Sequence, residues 1–100
     1  MIEFGGFDHL DQRPGASPQE IYEERLRLIA AYDRAGFAMY YLAEPHATPL
    51  GLAPSPSVFL SAVAQRTENI HFGPMVYCLS LYEPLRLIEE IYMLDQMSGG

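Results

Sequence analysis

The sequence predicts an α/β fold in which three parallel strands alternate with three helices. Apolar runs begin near residues 2, 38 and 70, a repeat of about 32–36 residues that matches one strand, one helix and their loops. Each run is followed by a loop and then by a segment with helix-start signals. Because such crossovers are right-handed, we expect the strands to lie side by side, in an open sheet or in an arc of a barrel.

The first strand is predicted over Ile2–Phe4, ended by a pair of glycines. The first helix follows a polar loop and begins at Ser17. The Ser17 hydroxyl can accept a hydrogen bond from a first-turn amide, Pro18 needs no amide partner there, and Glu20 completes a capping box. We expect this helix to end at Gly36.

The first helix is predicted to be amphipathic. Its apolar residues fall on one face at 100° per residue. They are Ile21, Tyr22, Leu26, Leu28, Ile29 and Tyr32. Arg25 lies within the same face and is the one residue that does not fit it.

The second strand is predicted over Ala38–Ala43, which is apolar throughout, as a strand covered on both faces would be. A second helix begins at Ser55, again followed by a proline. The third strand is predicted over Ile70–Leu79 with a distortion at Gly73-Pro74, since proline cannot donate to a strand ladder. A third helix opens at Glu83 with a proline after it and ends at two glycines.

Composition excludes several function classes. The chain of 100 residues has 13 acidic and 6 basic side chains, a formal charge of −7, so we expect no nucleic-acid partner. No apolar run is long enough for a membrane span, and no secretory signal is found near the N-terminus. A lone Cys78 is typical of a reducing compartment, and we predict a cytoplasmic protein.

Candidate chemistry lies where the predicted strands end, because parallel βα folds place their sites there. His46 can donate or accept a proton or bind a ligand, or it can be a loop histidine bonded to a carbonyl. Glu44 can pair with a base or bond loop amides. Asp8 and His9 follow the first strand, whereas His71 lies at the opposite end and is predicted to be structural.

A metal site is not predicted. Asp8, His9, Glu44 and His46 match no compact ligand motif. Cys78 has no basic neighbour in the sequence, which favours a small buried hydrophobe over a nucleophile.

Two long segments, AGFAMYYLAEPHATPLGLAPSPSVFLSAVAQRTENIHFGPMV and EPLRLIEEIYMLDQMSGG, resemble the N-terminal part of the luciferase-like monooxygenases. The resemblance implies that residues 1–100 form one domain piece, the first three βα units of a (β/α)8 TIM barrel. A fourth strand is then expected after Gly100, so the chain is expected to be truncated before it.

The same resemblance implies a flavin cofactor, FMN or a deazaflavin coenzyme. Its ring would pack against Gly73, Met75, Val76 and Tyr77, with a non-proline cis peptide at Met75-Val76. The flavin phosphate would be held by later strands of the barrel. We therefore expect the 100-residue chain alone to bind flavin weakly or not at all.

The resemblance also implies catalytic roles for Glu44 and His46 in a monooxygenase that uses oxygen and a small-molecule substrate. Family members usually have histidine at position 45 where this chain has Pro45, and they differ again at Ser80 and Glu83. The alternative is a non-catalytic truncated or diverged remnant that acts through self-association. A metal-dependent hydrolase on a similar barrel is a third possibility. A homodimer formed through the second and third helices is the implied assembly.

Overall fold

A computed structural model describes residues 1–100 as three strands and three α-helices in alternation. In chain order the elements are β1 (Gly5–Asp8), α1 (Pro18–Arg34), β2 (Met39–Leu42), α2 (Pro56–Ala64), β3 (His71–Pro74), a short 3₁₀ helix (Leu79–Leu81) and α3 (Pro84–Ser98). No helix combines the length and the apolar character that crossing a membrane would require.

The strands form one parallel sheet in the order β1-β2-β3. Gly6 of β1 is level with Tyr40 of β2, and Tyr40 is level with Phe72 of β3. The predicted α/β fold of three parallel βα units is therefore confirmed. All three carboxyl ends lie at the same edge of the sheet, which we call the upper edge.

The core lies between one face of the sheet and the helices α1 and α2. Tyr40 and Leu42 point from β2 into this layer and are almost fully buried. They pack with Ile29 of α1 and with Leu60 and Val63 of α2. We call the opposite side of the sheet the open face; there Phe7 is 55% exposed.

The predicted position of the first strand is wrong. Ile2 and Phe4 are exposed, and β1 contains the two glycines that were expected to end the strand. A side chain at Gly6 would come within 3.2 Å of the ring of Tyr32 on α1. Glycine therefore lies within β1 because the aromatic ring of the helix occupies the space of a side chain.

The third strand is shorter than predicted, and the distortion at its proline is confirmed. β3 ends at Pro74, although the next amide, that of Met75, still donates to Leu42 at 2.8 Å. The peptide bond between Met75 and Val76 is cis, as the resemblance implied. The chain then leaves the sheet and turns into the 3₁₀ helix.

The helix starts are confirmed, but they differ in how they are capped. At α1 the Ser17 hydroxyl accepts from the amide of Glu20, whose carboxylate accepts from the amide of Ser17. At α2 Ser55 makes no side-chain cap bond. At α3 the carboxylate of Glu83 accepts from the amide of Arg86.

One carboxylate fixes the entry to β3. Asp33, near the end of α1, accepts hydrogen bonds from three consecutive amides, those of Glu68, Asn69 and Ile70, at 2.7 to 3.0 Å. The loop before β3 is therefore attached to α1, which sets where the third strand begins.

The helix α3 packs on α2 through its buried face, where Leu87 is the one fully buried residue. A stripe of apolar side chains on its other side remains exposed. Leu85, Ile88 and Tyr92, which we call the α3 stripe, are 62%, 52% and 68% exposed. Ile88 and Tyr92 belong to one of the two helices for which the resemblance implies a subunit interface.

Candidate functional site

Glu44 is the centre of a polar cluster at the upper edge, two residues beyond β2. Its side chain is only 1% exposed. One carboxylate oxygen, Oε1, accepts the hydroxyl hydrogen bond of Tyr82. The other, Oε2, lies 2.8 Å from Nε2 of His46 and accepts from the backbone amide of Cys78 at 3.3 Å. Both oxygens are thus occupied by the protein.

The environment keeps Glu44 ionised. Burial alone would raise its pKa, but hydrogen bonds from Tyr82, His46 and Cys78 together outweigh it and hold the pKa below the usual glutamate value. A carboxylate can only accept hydrogen bonds, so the hydrogen shared with His46 must reside on Nε2 of the imidazole. The other ring nitrogen, Nδ1, is left for solvent or a ligand, since the ring is 41% exposed.

Cys78 attaches the segment after β3 to this cluster. Its amide bonds the carboxylate of Glu44, and its thiol donates to the backbone carbonyl of the same residue at 3.7 Å. The carboxylate of Glu44, followed by burial, raises the pKa of Cys78. A thiol with a raised pKa is a poor nucleophile. Cys78 is half-buried and hydrogen-bonded, which differs from the small buried hydrophobe that was predicted.

Two tyrosines pack behind the cluster. The rings of Tyr77 and Tyr82 meet edge to face at 5.3 Å and 75°. The Tyr77 hydroxyl lies 2.7 Å from that of Ser57 in the first turn of α2. Burial, followed by the contacts with Glu44, raises the pKa of Tyr82, so that its phenol remains a hydrogen-bond donor at neutral pH.

An apolar surface follows β3 beside the cluster. Met75 and Val76 are 45% and 65% exposed. A side chain at Gly73 would meet no atom within 4 Å, so the sheet is open there. Met75, Val76 and Tyr77 lie beyond the end of β3, which corrects their predicted place within a strand.

No unpaired cation lies at this edge. Arg13, in the loop after β1, makes an ion pair with Glu24 at 2.7 Å, and Arg25 pairs with Asp8. Three further arginines pair with glutamates on the helices. Arg34 is the last residue of α1 and lies towards the edge where the strands begin, opposite the upper edge.

The structure separates the residues that followed the first two strands. Asp8 turns into the layer between sheet and helices, where it bonds the Tyr40 hydroxyl at 2.7 Å, and His9 packs edge-on against Phe7 at 4.9 Å. Glu44 and His46 lie together, as their spacing allowed. His71 is exposed at the start of β3, far from the cluster in the strand direction.

No polar contact with Glu44 was predicted for Tyr82 or Cys78. These residues are 38 and 34 positions away from Glu44, so no local spacing connects them with it. The only available signal was that the third predicted strand ends at the same edge as the second.

The three residues Glu44, His46 and Cys78 each offer one ligand atom, and these atoms lie within 4.8 Å of one another. Their chemistry favours hydrogen bonding over metal binding. The carboxylate oxygens are already occupied, and the thiol, whose pKa is raised, would have to lose its proton to bind a metal.

The parallel βα sheet, with a polar cluster and an apolar surface at its upper edge, defines the class: a piece of a (β/α)8 barrel wall with its site at the carboxyl ends of the strands. Comparison with known proteins gives the family. The family model described as luciferase-like monooxygenase matches residues 2–100. The chain belongs to this family, and the sequence-based recognition is confirmed.

Individual relatives agree with this assignment. The chain is 54% identical over 99 residues to an uncharacterized protein, y4wF, of Sinorhizobium fredii, covering 99% of the chain and 29% of that protein. It is 31% identical over 99 residues to limonene 1,2-monooxygenase of Rhodococcus erythropolis, covering 99% of the chain and 26% of the enzyme.

Among solved structures, the oxygenating constituent of 3,6-diketocamphane monooxygenase from Pseudomonas putida, in complex with FMN, superposes with a TM-score of 0.90. The two are 26% identical, and the match covers 98% of this chain and 27% of that one. The chain thus spans between 26% and 29% of the length of these three relatives.

Proposed function

We propose that the chain supplies the first part of the wall of a flavin-dependent monooxygenase that acts on a small-molecule substrate with oxygen. Family membership supports the class of reaction. The observation that carries the proposal is the place of the ionised Glu44 and its partner His46 beside the exposed Met75-Val76 surface at the upper edge.

The residues that follow β3 fit a flat aromatic ring. Gly73 leaves the sheet surface open, and Met75 and Val76 offer apolar atoms to a ring laid on it. With Tyr77 they are the residues that we propose contact the isoalloxazine ring. Electrons for activating oxygen come from the reduced flavin when it is bound. FMN is favoured over a deazaflavin coenzyme by the FMN complex of the diketocamphane relative.

The chain's own groups would prepare one side of the site. Met75 and Val76 would exclude water from the ring. Glu44 would hold His46, whose Nδ1 would accept or deliver a proton at the edge of the bound ring. Glu44 itself is enclosed by the protein and touches no ligand from its buried position.

This part of the barrel offers no free arginine or lysine side chain to the phosphate of FMN. Arginine and lysine side chains are the charged partners that hold a phosphate tightly. Five of the six arginines are paired with carboxylates, and the sixth, Arg34, is remote from the upper edge. We therefore propose that the 100-residue chain binds FMN weakly and that the affinity comes from other parts of the barrel.

An NMR titration of the chain with FMN tests this proposal. At FMN concentrations up to about 1 mM, we expect shifts of the resonances of Met75, Val76 and Tyr77, with no stoichiometric flavin retained after gel filtration. Val76→Asp should abolish the shifts, because it places a charge against the ring. Val58→Asp on α2 is the control, since Val58 is 72% exposed and Val76 is 65% exposed.

Equal effects of the two substitutions, or shifts confined to α2, would contradict the proposed ring contacts. A purified chain that carries one flavin per molecule would contradict the proposed weak binding.

A non-catalytic protein that acts through self-association is the second candidate. The α3 stripe favours it, because three large apolar side chains remain exposed on one helix face. The same stripe supports a homodimer through α2 and α3. Ile88→Glu should shift the sedimentation coefficient towards that of a monomer, whereas Ile2→Glu, at another exposed isoleucine, should not.

Domain and location are proposals as well. A single core that includes Tyr40 of β2, with Phe72 of β3 packed against it, supports one domain over residues 1–100. The free thiol of Cys78 supports a reducing compartment, and we propose the cytoplasm.

A further inference from the structure

Tyr82 occupies a defined place between two elements of the site. It follows the 3₁₀ helix and lies two residues before the start of α3. Its hydroxyl donates to Oε1 of Glu44, on the side of the carboxylate away from His46. Tyr82 and His46 therefore bond different oxygens of the same carboxylate, and the Tyr82 hydroxyl is linked to the imidazole through Glu44.

The carboxylate of Glu44 is held at both ends. The Tyr82 hydroxyl fixes Oε1, while the amide of Cys78 and Nε2 of His46 both lie on Oε2. The terminal torsion of a glutamate side chain is soft, with a broad distribution of angles. Without a partner at Oε1, the carboxylate plane can rotate, and Oε2 then loses its alignment with His46.

The ring of Tyr82 is itself supported. It meets Tyr77 edge to face, and the hydroxyl of Tyr77 bonds Ser57 on α2. The position of the Tyr82 ring is thus supported by the ring of Tyr77.

We propose that Tyr82 is a positioning residue: through Glu44 it fixes His46 as the tautomer with hydrogen on Nε2 and leaves Nδ1 as the atom that takes a proton. The importance of this tautomer for turnover rests on the proposed function. The positioning itself is a property of the chain alone and involves no cofactor.

Long-range ¹H–¹⁵N correlation spectra of the histidine rings test the proposal in the flavin-free chain. At about pH 9, where an ordinary imidazole is neutral, His46 should be almost entirely the Nε2–H tautomer. Glu44→Gln gives the reference for a ring without the carboxylate. Tyr82→Phe, which removes one oxygen atom, should move the tautomer ratio from the wild-type value towards that of Glu44→Gln.

Tyr77→Phe is the matched control. It removes the hydroxyl that bonds Ser57 but keeps the ring against Tyr82, so the tautomer ratio of His46 should remain at the wild-type value. Amide exchange of Cys78 gives a second measurement: it should accelerate in Tyr82→Phe, because its acceptor on Glu44 becomes mobile.

A wild-type His46 ratio and unchanged Cys78 exchange in Tyr82→Phe would overturn the proposal. Equal shifts in Tyr77→Phe and Tyr82→Phe would overturn it too, because they would indicate a general loosening of the segment. Failure of the FMN titration would count against the proposed function while leaving the tautomer result intact, so the two failures are distinguishable.

Discussion

Arg25, in the middle of α1, reaches across the helix–sheet layer and forms an ion pair with Asp8 at the end of β1. The side chains are 24% and 10% exposed, so the pair is largely buried. Asp8 also accepts from the Tyr40 hydroxyl at 2.7 Å and from the amide of Leu10 at 2.9 Å. Arg25, the charged residue on the apolar face of α1, therefore has an acidic partner in the layer between the sheet and the helices.

We predict that Asp8→Asn lowers the free energy of unfolding by about 2–4 kcal/mol. The substitution leaves the guanidinium of Arg25 partly buried without a compensating charge, which costs more than the pair contributes. Urea denaturation followed by circular dichroism measures the change. Glu24→Gln, which breaks the exposed pair with Arg13, should leave stability unchanged. Equal losses in the two variants would contradict this account.

The two serine–proline helix starts should respond differently to alanine. Ser17→Ala removes a hydroxyl that accepts from Glu20 and should cost about 1 kcal/mol. Ser55→Ala should leave stability unchanged, because Ser55 makes no cap bond and is exposed. The comparison uses thermal and urea unfolding of both variants. A loss for Ser17→Ala no larger than the loss for Ser55→Ala would contradict the stabilising role of the capping box.

Asp33 should give the chain part of its acid sensitivity. Burial tends to raise its pKa, but three backbone amides together outweigh it and keep the pKa below the ordinary value of 3.8. A carboxyl with a lowered folded-state pKa stabilises the fold above its unfolded-state pKa, and this contribution is lost as pH falls through the folded value. Asp33→Ala should therefore cost about 1–3 kcal/mol at about pH 7.

The cost of Asp33→Ala should shrink as pH falls below 3.8. The wild-type carboxyl then binds a proton, first in the unfolded chain and at lower pH in the folded protein, and its stabilising charge is lost. Urea denaturation of both proteins over this pH range measures it. A difference that stays constant with pH would assign the effect to packing instead of charge.

Two glycines at the upper edge should differ in their tolerance of a methyl group. A side chain at Gly51 would collide with the carbonyl of His9 and come within 2.7 Å of the ring of Pro45. Gly51→Ala should therefore cost about 1–3 kcal/mol, whereas Gly73→Ala, which meets open space, should leave unfolding unchanged. If Gly51→Ala is as stable as the wild type, the loops after β1 and β2 are not packed as described.

The alternation of strands and helices could be predicted from the sequence because it depends on local signals. Ser17 and Glu20 define a helix start within four residues, and the apolar run around Tyr40 predicts a strand. The expected burial of that strand on both faces is wrong, because Met39 and Tyr41 are only half-buried on the open face.

The error in β1 has a different origin. The glycines are usually strand breakers, and only tertiary contacts explain why they lie inside this strand. A side chain at Gly5 would come within 3.1 Å of the carbonyl oxygen of Met39 on β2, and one at Gly6 would meet the ring of Tyr32 on α1.

The site could be predicted only in part. Glu44 and His46 are two residues apart, so their contact follows from local spacing. The partners that complete the cluster come from beyond β3, and their contact depends on how the chain turns after Pro74. That turn cannot be derived from periodicity, which favoured a strand continuing to Leu79.

The brevity of β3 has a consequence for how molecules of this chain can aggregate. Its free border is four residues long, about 13 Å, and its last residue, Pro74, has no N–H to offer. Amyloid-like growth needs longer, flatter templates with an uninterrupted row of donors. Strand pairing between molecules through β3 is therefore disfavoured, and association through the α3 stripe should be reversed by dilution or mild detergent.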